Sequence, residues 1–249
     1  GDVPLVPADS LAQMQSGHVS ASAKVTLLTA RVDDPSGLGR IVRGRDGTVR
    51  AIVEQADADA GTLAIDEINA GIYIFDADWL WNGLRDVPPS AFGEVYVTDL
   101  IEMAAKNGAP VADVMASSAI DVMGVNDRVQ LARAEAALRA RIRERWMVDG
   151  VTMPDPEAVY IDVAVVLGRD TVVMPNTHLL GATTIGEGCE MGPNSVVVDS
   201  VIADNCRVVA SHVAGSRLSD GVSVGPFSNV RNGTVLEEDA RVGNFTETK

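Results

Sequence analysis

Few residues in this chain have a type and spacing that indicate chemistry by themselves. The two cysteines, Cys189 and Cys206, could form a disulfide but do not have the spacing of a metal site. The three histidines, His18, His178 and His212, match no catalytic pattern. No Gly-x-Gly-x-x-Gly or Walker-type phosphate loop occurs in the 249 residues. A functional site must therefore be inferred from the elements that would position it.

Charge limits the classes of partner. Six arginines lie between residues 127 and 146 and could suggest nucleic-acid binding, but a solvated helix face is the simpler interpretation. The formal net charge of −15 argues against broad binding to nucleic acid and to an anionic membrane surface. No apolar run is long enough to span a bilayer and no signal-like segment opens the chain, so we expect a cytoplasmic enzyme.

The first half of the chain has an alternating α/β pattern. Residues 25–31, 49–54 and 70–75 are predicted strands, and residues 8–15 and 96–107 are predicted helices. Such alternation places a ligand site at the carboxyl ends of the strands. Because no strand precedes Gly1-Asp2-Val3-Pro4, we expect the N-terminal part of this domain to be missing.

A helix is predicted over residues 127–146. Asp127 and Gln130 can form a capping box at its start. Four residues form one apolar stripe along it, Leu131, Leu138, Ile142 and Trp146. Pro154 and Pro156 forbid further helix, so residues 127–150 are predicted to be a linker helix that leads into the next domain.

The last third of the chain repeats with a period of six residues, which is typical of a parallel β-helix. Bulky apolar residues occur at Ile161, Leu167, Val173, Leu179, Ile185, Met191 and Val197. A second register continues at Ile202 and Val208, breaks, and resumes at Leu218, Val224, Val230, Leu236 and Val242. Three hexads would make one triangular coil, and stacked coils would bury a continuous core.

Two further positions of the hexad support this prediction. Three residues after most apolar sites comes a residue that tolerates positive φ: Asp170, Asn176, Gly188, Asn194, Asn205, Gly221, Gly233 and Asp239. Ala164, Ala182 and Phe227 do not fit that corner pattern. The next position is small or β-branched, and both cysteines occupy it, so we predict that they are stacked core thiols one coil apart rather than a disulfide.

In this order, the α/β domain, the arginine-rich helix and the hexapeptide repeat resemble one known family. The chain is similar to the bacterial bifunctional N-acetylglucosamine-1-phosphate uridyltransferase and glucosamine-1-phosphate N-acetyltransferase. The resembling segments, in family order, are GDVPL at 1–5, DDPSGLGRI at 33–41, IVE at 52–54, EINAG at 67–71, YVTD at 96–99, GVN at 124–126, and VGPF at 224–227 through VGNF at 242–245. Each segment is short, but the ordered set is specific.

The resemblance implies an α/β nucleotidyltransferase fold, Rossmann-like and N-terminally incomplete, followed by a left-handed parallel β-helix of hexapeptide repeats. The implied domains are a partial nucleotidyltransferase domain at 1–126, a linker helix at 127–150 and a partial acetyltransferase β-helix at 151–249. The implied reactions are uridylyl transfer from UTP to N-acetylglucosamine 1-phosphate, with release of pyrophosphate, and acetyl transfer from acetyl-CoA to glucosamine 1-phosphate. Together they would make UDP-N-acetylglucosamine for cell-wall precursors, in a homotrimer.

The resemblance also assigns roles to residues of the first domain. Asp2 and Asn126 would hold Mg²⁺, which prefers hard oxygen ligands, and Gly1 and Asp2 would lie against the substrate. Gly39, Glu54 and Asn69 would contact the N-acetylglucosamine moiety: the glycine by close backbone approach, the acid as an acceptor and the amide as both donor and acceptor.

Taken one at a time, these residues also have ordinary structural interpretations, as a terminal acid, a helix-entry residue, a turn glycine, a strand-end acid and a turn asparagine. Leu38 stands where relatives commonly have tyrosine, so a contact from that phenol is not implied here.

In the β-helix, Arg231 and Lys249 match the basic residues that hold the phosphorylated sugar, and a cation on a rigid solenoid suits a phosphate. The family's catalytic histidine would lie beyond Lys249, so no catalytic residue is assigned in this chain, and we expect the chain alone to be inactive in both reactions. Two alternatives stay open. One is a hexose-1-phosphate nucleotidyltransferase with an appended β-helix, and the other is a non-catalytic trimeric scaffold.

Overall fold

The computed structural model describes residues 2–88 and 95–248, and the chain divides into two compact units, Gly1–Ala134 and Glu135–Lys249. Two of the residues predicted to bind substrate, Gly1 and Lys249, lie outside the described residues. The described part contains no helix that is both long enough and apolar enough to cross a membrane.

The first unit is built on one five-stranded mixed sheet. Its strands are β1 (Val25–Arg31), β2 (Arg40–Arg43), β3 (Val49–Val53), β4 (Glu67–Phe75) and β5 (Val111–Met115). They are arranged in the order β3-β2-β4-β1-β5. Only β1 and β5 run parallel in this sheet, because β4 pairs antiparallel with both β1 and β2, and β2 pairs antiparallel with β3. The carboxyl ends of all five strands therefore do not lie along one edge of this sheet.

Four helices belong to this sheet: α1 (Ala8–Ser20), α2 (Ala60–Leu63), α3 (Ala77–Gly83) and α4 (Asp99–Lys106). The interior strand β1 is buried on both faces, so its consecutive residues Leu27 and Leu28 join different cores. Leu28 packs in a cluster with Met14 of α1, and Leu27 in a cluster with Ile101 of α4. The sheet is thus covered by helices on both sides, which explains why six consecutive residues of β1 are buried rather than every second one.

A fifth helix, α5 (Arg128–Val148), begins with the predicted capping box. Asp127 Oδ1 accepts a hydrogen bond from Gln130 N at 2.7 Å, and Gln130 Oε1 accepts one from Asp127 N at 3.2 Å. The predicted apolar stripe is only half correct. Ile142 and Trp146 are buried in the core of the second unit, whereas Leu131 and Leu138 are exposed.

The second unit is a parallel β-helix made of three five-stranded sheets. One sheet contains β6 (Val159–Ile161), β9 (Thr177–Leu180), β12 (Val196–Val198), β15 (His212–Ala214) and β18 (Asn229–Val230). The second contains β7 (Val166–Leu167), β10 (Thr184–Ile185), β13 (Val201–Ile202), β16 (Arg217–Leu218) and β19 (Val235–Leu236). The third contains β8 (Val172–Val173), β11 (Glu190–Met191), β14 (Arg207–Val208), β17 (Ser223–Val224) and β20 (Arg241–Val242).

The hexad positions behave as predicted, and the apparent break has a simple cause. Every predicted apolar site except Leu236 is buried, and each buried Val, Leu, Ile or Met side chain contributes about 1.5–3 kcal/mol. Between Val208 and Leu218 the inward position is taken by Val213, which is fully buried, so the chain there takes two steps of five residues instead of one break. The repeat is therefore continuous through the region that looked irregular.

The corners confirm the positive-φ prediction and correct one of its three exceptions. All eight predicted corner residues have φ between 55° and 85°, and Phe227 also has φ 60° although it lacks the usual residue type. Ala164 and Ala182 do not have positive φ. At Ala182 the left-handed residue is the preceding one, Gly181. The two cysteines are free and buried, and Cys206 N lies 3.4 Å from Cys189 Sγ, so the prediction of stacked core thiols is confirmed.

Candidate functional site

Three predicted sugar-binding residues come together in the first unit although they are far apart in sequence. The carbonyl of Gly39, just before β2, accepts a hydrogen bond from Asn69 N of β4 at 2.9 Å. The position that a Cβ atom would take on Gly39 lies 3.2 and 3.3 Å from the two carboxylate oxygens of Glu54. Gly39, Glu54 and Asn69 therefore form one polar cluster on adjacent strands.

Two neighbours of this cluster were not assigned from the sequence. The hydroxyl of Thr98 donates to Glu54 Oε1 at 3.4 Å, and Tyr73 lies four residues after Asn69 on β4, opposite Leu27 of β1. Burial raises the pKa of Tyr73 to about 12, and the charge of Glu54 also raises it. Thr98 lies in the resembling segment YVTD and could have been found there. Tyr73 carried no such signal.

A bulge in β4 shapes the wall beside the cluster. Leu27 of β1 pairs with Tyr73 and Thr29 pairs with Asn69, so three residues of β4, 70–72, lie opposite Leu28 alone. Gly71 in the bulge has φ 72°, which favours glycine. Bulges bend a strand and re-aim its side chains, and they are common beside active sites.

The bulge also lines a cavity that reaches the predicted metal residue. The cavity has a volume of about 270 Å³ and is lined by Asp2, Val3, Ala70, Gly71 and Ile72. Asp2 and the three residues that follow Asn69 in β4 therefore line the same cavity.

Asp2 and Asn126 belong to neighbouring segments. Val125 N donates to the carbonyl of Asp2 at 2.8 Å, and a Cβ on Gly124 would lie 3.8 Å from Asn126 Nδ2 and 3.9 Å from Asp2 O. Asn126 N itself donates to Gln130 Oε1 at 2.6 Å, so the start of α5 fixes the backbone of Asn126.

The donor set at these two residues fits Mg²⁺. A carboxylate and an amide oxygen are hard ligands, and this ion usually takes only one or two ligands from protein. Over residues 2–88 and 95–248 there is no group of three or more His, Cys, Asp or Glu side chains that could hold a metal ion. A site that relies on substrate phosphates and water for its remaining ligands is consistent with that.

A partly buried ion-pair network joins β2, β4 and β5 beside the cluster. Arg43 Nη2 at the end of β2 lies 2.6 Å from Glu67 Oε1 of β4 and 2.6 Å from Asp113 Oδ2 of β5. Burial acts to raise the pKa of Glu67, but hydrogen bonds and charge from Arg43 outweigh it, and the pKa lies below its usual range. Because Glu67 is two residues before Asn69, the network fixes β4 directly beside the cluster.

In the second unit, Arg231 lies on the outer face of the β-helix. Its Nη2 atom is 2.8 Å from Glu247 Oε1, and its backbone N donates to Thr248 Oγ1 at 3.0 Å. The side chain of Arg231 is more than half exposed, so it can reach a ligand by exchanging its ion pair. Its predicted companion Lys249 and the predicted substrate residue Gly1 lie outside the described residues. Leu38, at the tyrosine position, is partly exposed.

The chain matches two protein-family models. The nucleotidyl transferase model matches residues 5–147, and the bacterial transferase hexapeptide (six repeats) model matches residues 164–199. The predicted order of an α/β nucleotidyltransferase fold and a hexapeptide β-helix is thereby confirmed.

Curated relatives align with all of this chain. It is 46% identical over 250 residues to "Bifunctional protein GlmU" of Exiguobacterium sibiricum and 47% identical to the protein of that name from another Exiguobacterium species. It is 46% identical to the Mycolicibacterium gilvum protein of the same name. These alignments cover 100% of this chain and 56%, 55% and 50% of the relatives, so the chain spans about half their length. On the extent of the nucleotidyl transferase match and these identities, the chain belongs to the nucleotidyl transferase family and resembles bifunctional protein GlmU throughout.

Proposed function

We propose that this chain is part of a bifunctional enzyme that makes UDP-N-acetylglucosamine. Its first unit would transfer a uridylyl group from UTP to N-acetylglucosamine 1-phosphate. The observation that carries this proposal is the cluster of Gly39, Glu54 and Asn69, formed by three strands of a nucleotidyl transferase unit. The similarity to bifunctional protein GlmU over the whole chain supports it.

In the proposed reaction a phosphate oxygen of N-acetylglucosamine 1-phosphate attacks the α-phosphorus of UTP, and pyrophosphate leaves. Such a transfer needs positioning and charge neutralisation more than a protein nucleophile. Glu54 would accept hydrogen bonds from sugar hydroxyls, Asn69 would donate and accept, and the backbone at Gly39 would let the sugar approach closely. Asp2 and Asn126 would hold Mg²⁺, which neutralises charge on phosphate oxygens when it is bound.

We further propose that the second unit belongs to an acetyltransferase that uses acetyl-CoA and glucosamine 1-phosphate. Arg231 and Lys249 would bind the phosphate of the sugar. The domain boundaries we propose are 1–126, 127–150 and 151–249, in a cytoplasmic homotrimer. The exposed guanidinium of Arg231 and the hexapeptide match support this assignment.

Calorimetric titration can test the first proposal. N-acetylglucosamine 1-phosphate should bind at least about tenfold more tightly than glucose 1-phosphate, because a site built to pair with a polar group rejects an analogue that lacks it. Asn69→Ala should weaken binding about tenfold, whereas Asn107→Ala, an exposed position at the end of α4, should leave it unchanged. Equal binding of the two sugars would favour a hexose-1-phosphate nucleotidyltransferase. Binding of neither would favour a scaffold.

A further inference from the structure

A short turn carries Gly39 to the candidate site. Residues 35–38 form this turn, in which Leu38 N donates a hydrogen bond to the carbonyl of Pro35 at 3.2 Å. Gly37 and Leu38 are exposed, and Gly37 has φ 79°, which favours glycine. An exposed turn between two glycines has much conformational freedom of its own, so the position of the Gly39 backbone must be fixed from outside the turn.

Two side chains from outside the turn bond to its backbone. The Oε1 atom of Gln55 accepts a hydrogen bond from Gly37 N at 2.5 Å, and it also accepts one from Arg40 Nη2 at 3.5 Å. Arg40 Nη1 donates to the carbonyl of Leu38. One N–H and one carbonyl of the 35–38 turn are therefore held by Gln55 and Arg40.

Arg40 is the fixed end of these bonds. It is 2% exposed, and its backbone pairs with Val53 of β3 and Ile68 of β4. Its Nε atom is buried and has no hydrogen-bond partner among the residues that the structure describes. A buried cation that also lost the oxygens of Leu38 and Gln55 would be left unpaired at high cost, so the guanidinium holds both oxygens in place.

The pairing of β2 with β3 places Gln55 beside the candidate site. Arg40 lies opposite Val53 in this antiparallel pair, so Gly39, which precedes Arg40, faces Glu54, which follows Val53. Gln55 comes directly after Glu54 in the chain. Its bond to the turn therefore ties the segment that carries Glu54 to the segment that carries Gly39.

We propose that Gln55 is a positioning residue that holds the 35–38 turn in place and so sets the distance from the Gly39 backbone to the Glu54 carboxylate. A sugar that contacts both groups would then meet them at a fixed spacing. Leu38 offers no polar side chain, so a polar contact at this turn depends on the backbone. Gln55 itself would not touch the ligand. The inference rests on the proposed function for its ligand, whereas the bond from Gln55 to the turn does not.

Amide hydrogen exchange of the unliganded chain, followed by NMR, tests the bond itself. Gln55→Leu removes the acceptor at similar size, so the Gly37 amide should exchange about fivefold to tenfold faster. Gln55→Glu keeps an acceptor oxygen and adds charge, so this amide should exchange no faster than in the wild type. Gln15→Leu, at an exposed position in α1, is the matched control and should leave it unchanged. An unchanged Gly37 amide in Gln55→Leu would overturn the inference, whatever the chain binds.

Calorimetric titration with N-acetylglucosamine 1-phosphate then tests the positioning. Gln55→Leu should weaken binding about threefold to tenfold, and Gln55→Glu should bind within about twofold of the wild type. Salt at about 0.5 M screens the added carboxylate of the second variant from the phosphate of the ligand. Gln15→Leu should bind as the wild type does. Equal losses in Gln55→Leu and Gln55→Glu would mean that the amide NH₂ group of Gln55 contacts the ligand directly, which would overturn the inference.

The two measurements also separate this inference from the proposed function. If the wild-type chain binds no sugar phosphate but exchange at Gly37 depends on Gln55, the proposed ligand is wrong and the turn is held as described. If the wild type binds the sugar phosphate, and Gln55→Leu speeds exchange without weakening binding, the positioning role is wrong and the proposed function stands.

Discussion

Replacing Gly39 with alanine should crowd the candidate site at one defined point. The new Cβ would lie 2.9 Å from Ile52 Cγ2 and 3.2 Å from Glu54 Oε2, and a carbon pair at 2.9 Å cannot persist. Ile52 is 6% exposed, and its β-branched side chain has little rotamer freedom, so it cannot move away at low cost. The Glu54 carboxylate is the more mobile neighbour and should be displaced.

The expected magnitudes follow from that geometry. Overpacking a buried contact costs about 1–3 kcal/mol, so Gly39→Ala should lower the free energy of unfolding of the first unit by this amount. Displacement of Glu54 should also weaken binding of N-acetylglucosamine 1-phosphate by about tenfold, the loss of one charge-assisted hydrogen bond. The two effects are measured separately, by the urea dependence of amide hydrogen exchange in β2 and β3 and by calorimetric titration.

Gly17→Ala is the matched control. Gly17 lies inside α1, and a Cβ there would meet nothing within 4 Å. Alanine should therefore stabilise the unit by about 0.5–1 kcal/mol through helix propensity, without changing ligand affinity. If Gly39→Ala proves as stable as the wild type and binds the sugar phosphate equally well, the packing of Gly39 against Glu54 and Ile52 is not as described.

Three further predictions concern buried groups. Arg43→Met should cost about 2–4 kcal/mol, because it leaves the carboxylate of Glu67 buried without its partner. In the wild type the lowered pKa of Glu67 gives stability that is present above about pH 4.5 and lost as the pH falls. In Arg43→Met the burial of Glu67 should raise its pKa, so acid should stabilise the variant. Urea denaturation at several pH values measures both effects. Cys189 and Cys206 should be alkylated by iodoacetamide only as fast as the β-helix unfolds, because both thiols are buried. The hydrogen bond to Cys189, and then burial, also raise the pKa of the Cys206 thiol. Val213→Ala should cost about 2 kcal/mol in urea denaturation, because Val213 fills the inward position of a five-residue step.

Each of these predictions has an outcome that would contradict it, and Val213→Ala also has a matched control. Val235→Ala changes an exposed valine of the same β-helix and should stay within about 0.5 kcal/mol of the wild type. Equal effects at Val213 and Val235 would contradict the inward assignment. Acid that destabilises Arg43→Met as much as the wild type would mean that Arg43 does not set the ionisation of Glu67. Alkylation faster than unfolding would place at least one thiol at the surface.

Much of the fold could be predicted because its patterns are local. The period of six residues predicted almost every inward residue of the β-helix, and the positive-φ corners followed from residue type alone. Val213 was not predicted as an inward residue, because a repeat with a fixed step of six residues cannot represent a step of five residues. The strand 25–31 was predicted with its observed bounds, since its six buried residues are all apolar or β-branched and none is charged.

What escaped prediction depends on tertiary contacts. Strand β2 has the sequence RIVR and was not predicted, because two of its four residues are charged. In the fold, Arg43 pairs with Glu67 and Asp113, and Arg40 is almost fully buried. The site residues Gly39, Glu54 and Asn69 came from ordered resemblance rather than from pattern. Tyr73 had no signal in the sequence, because its place near Glu54 depends on how β4 pairs with β1 and bulges.

A crystal structure of the chain with N-acetylglucosamine 1-phosphate and Mn²⁺, used as an anomalous substitute for Mg²⁺, tests the central claim most directly. We expect sugar density against Gly39, Glu54 and Asn69, and an anomalous peak within bonding distance of the side chains of Asp2 and Asn126. Sugar bound elsewhere, or a metal held by other residues, would contradict it.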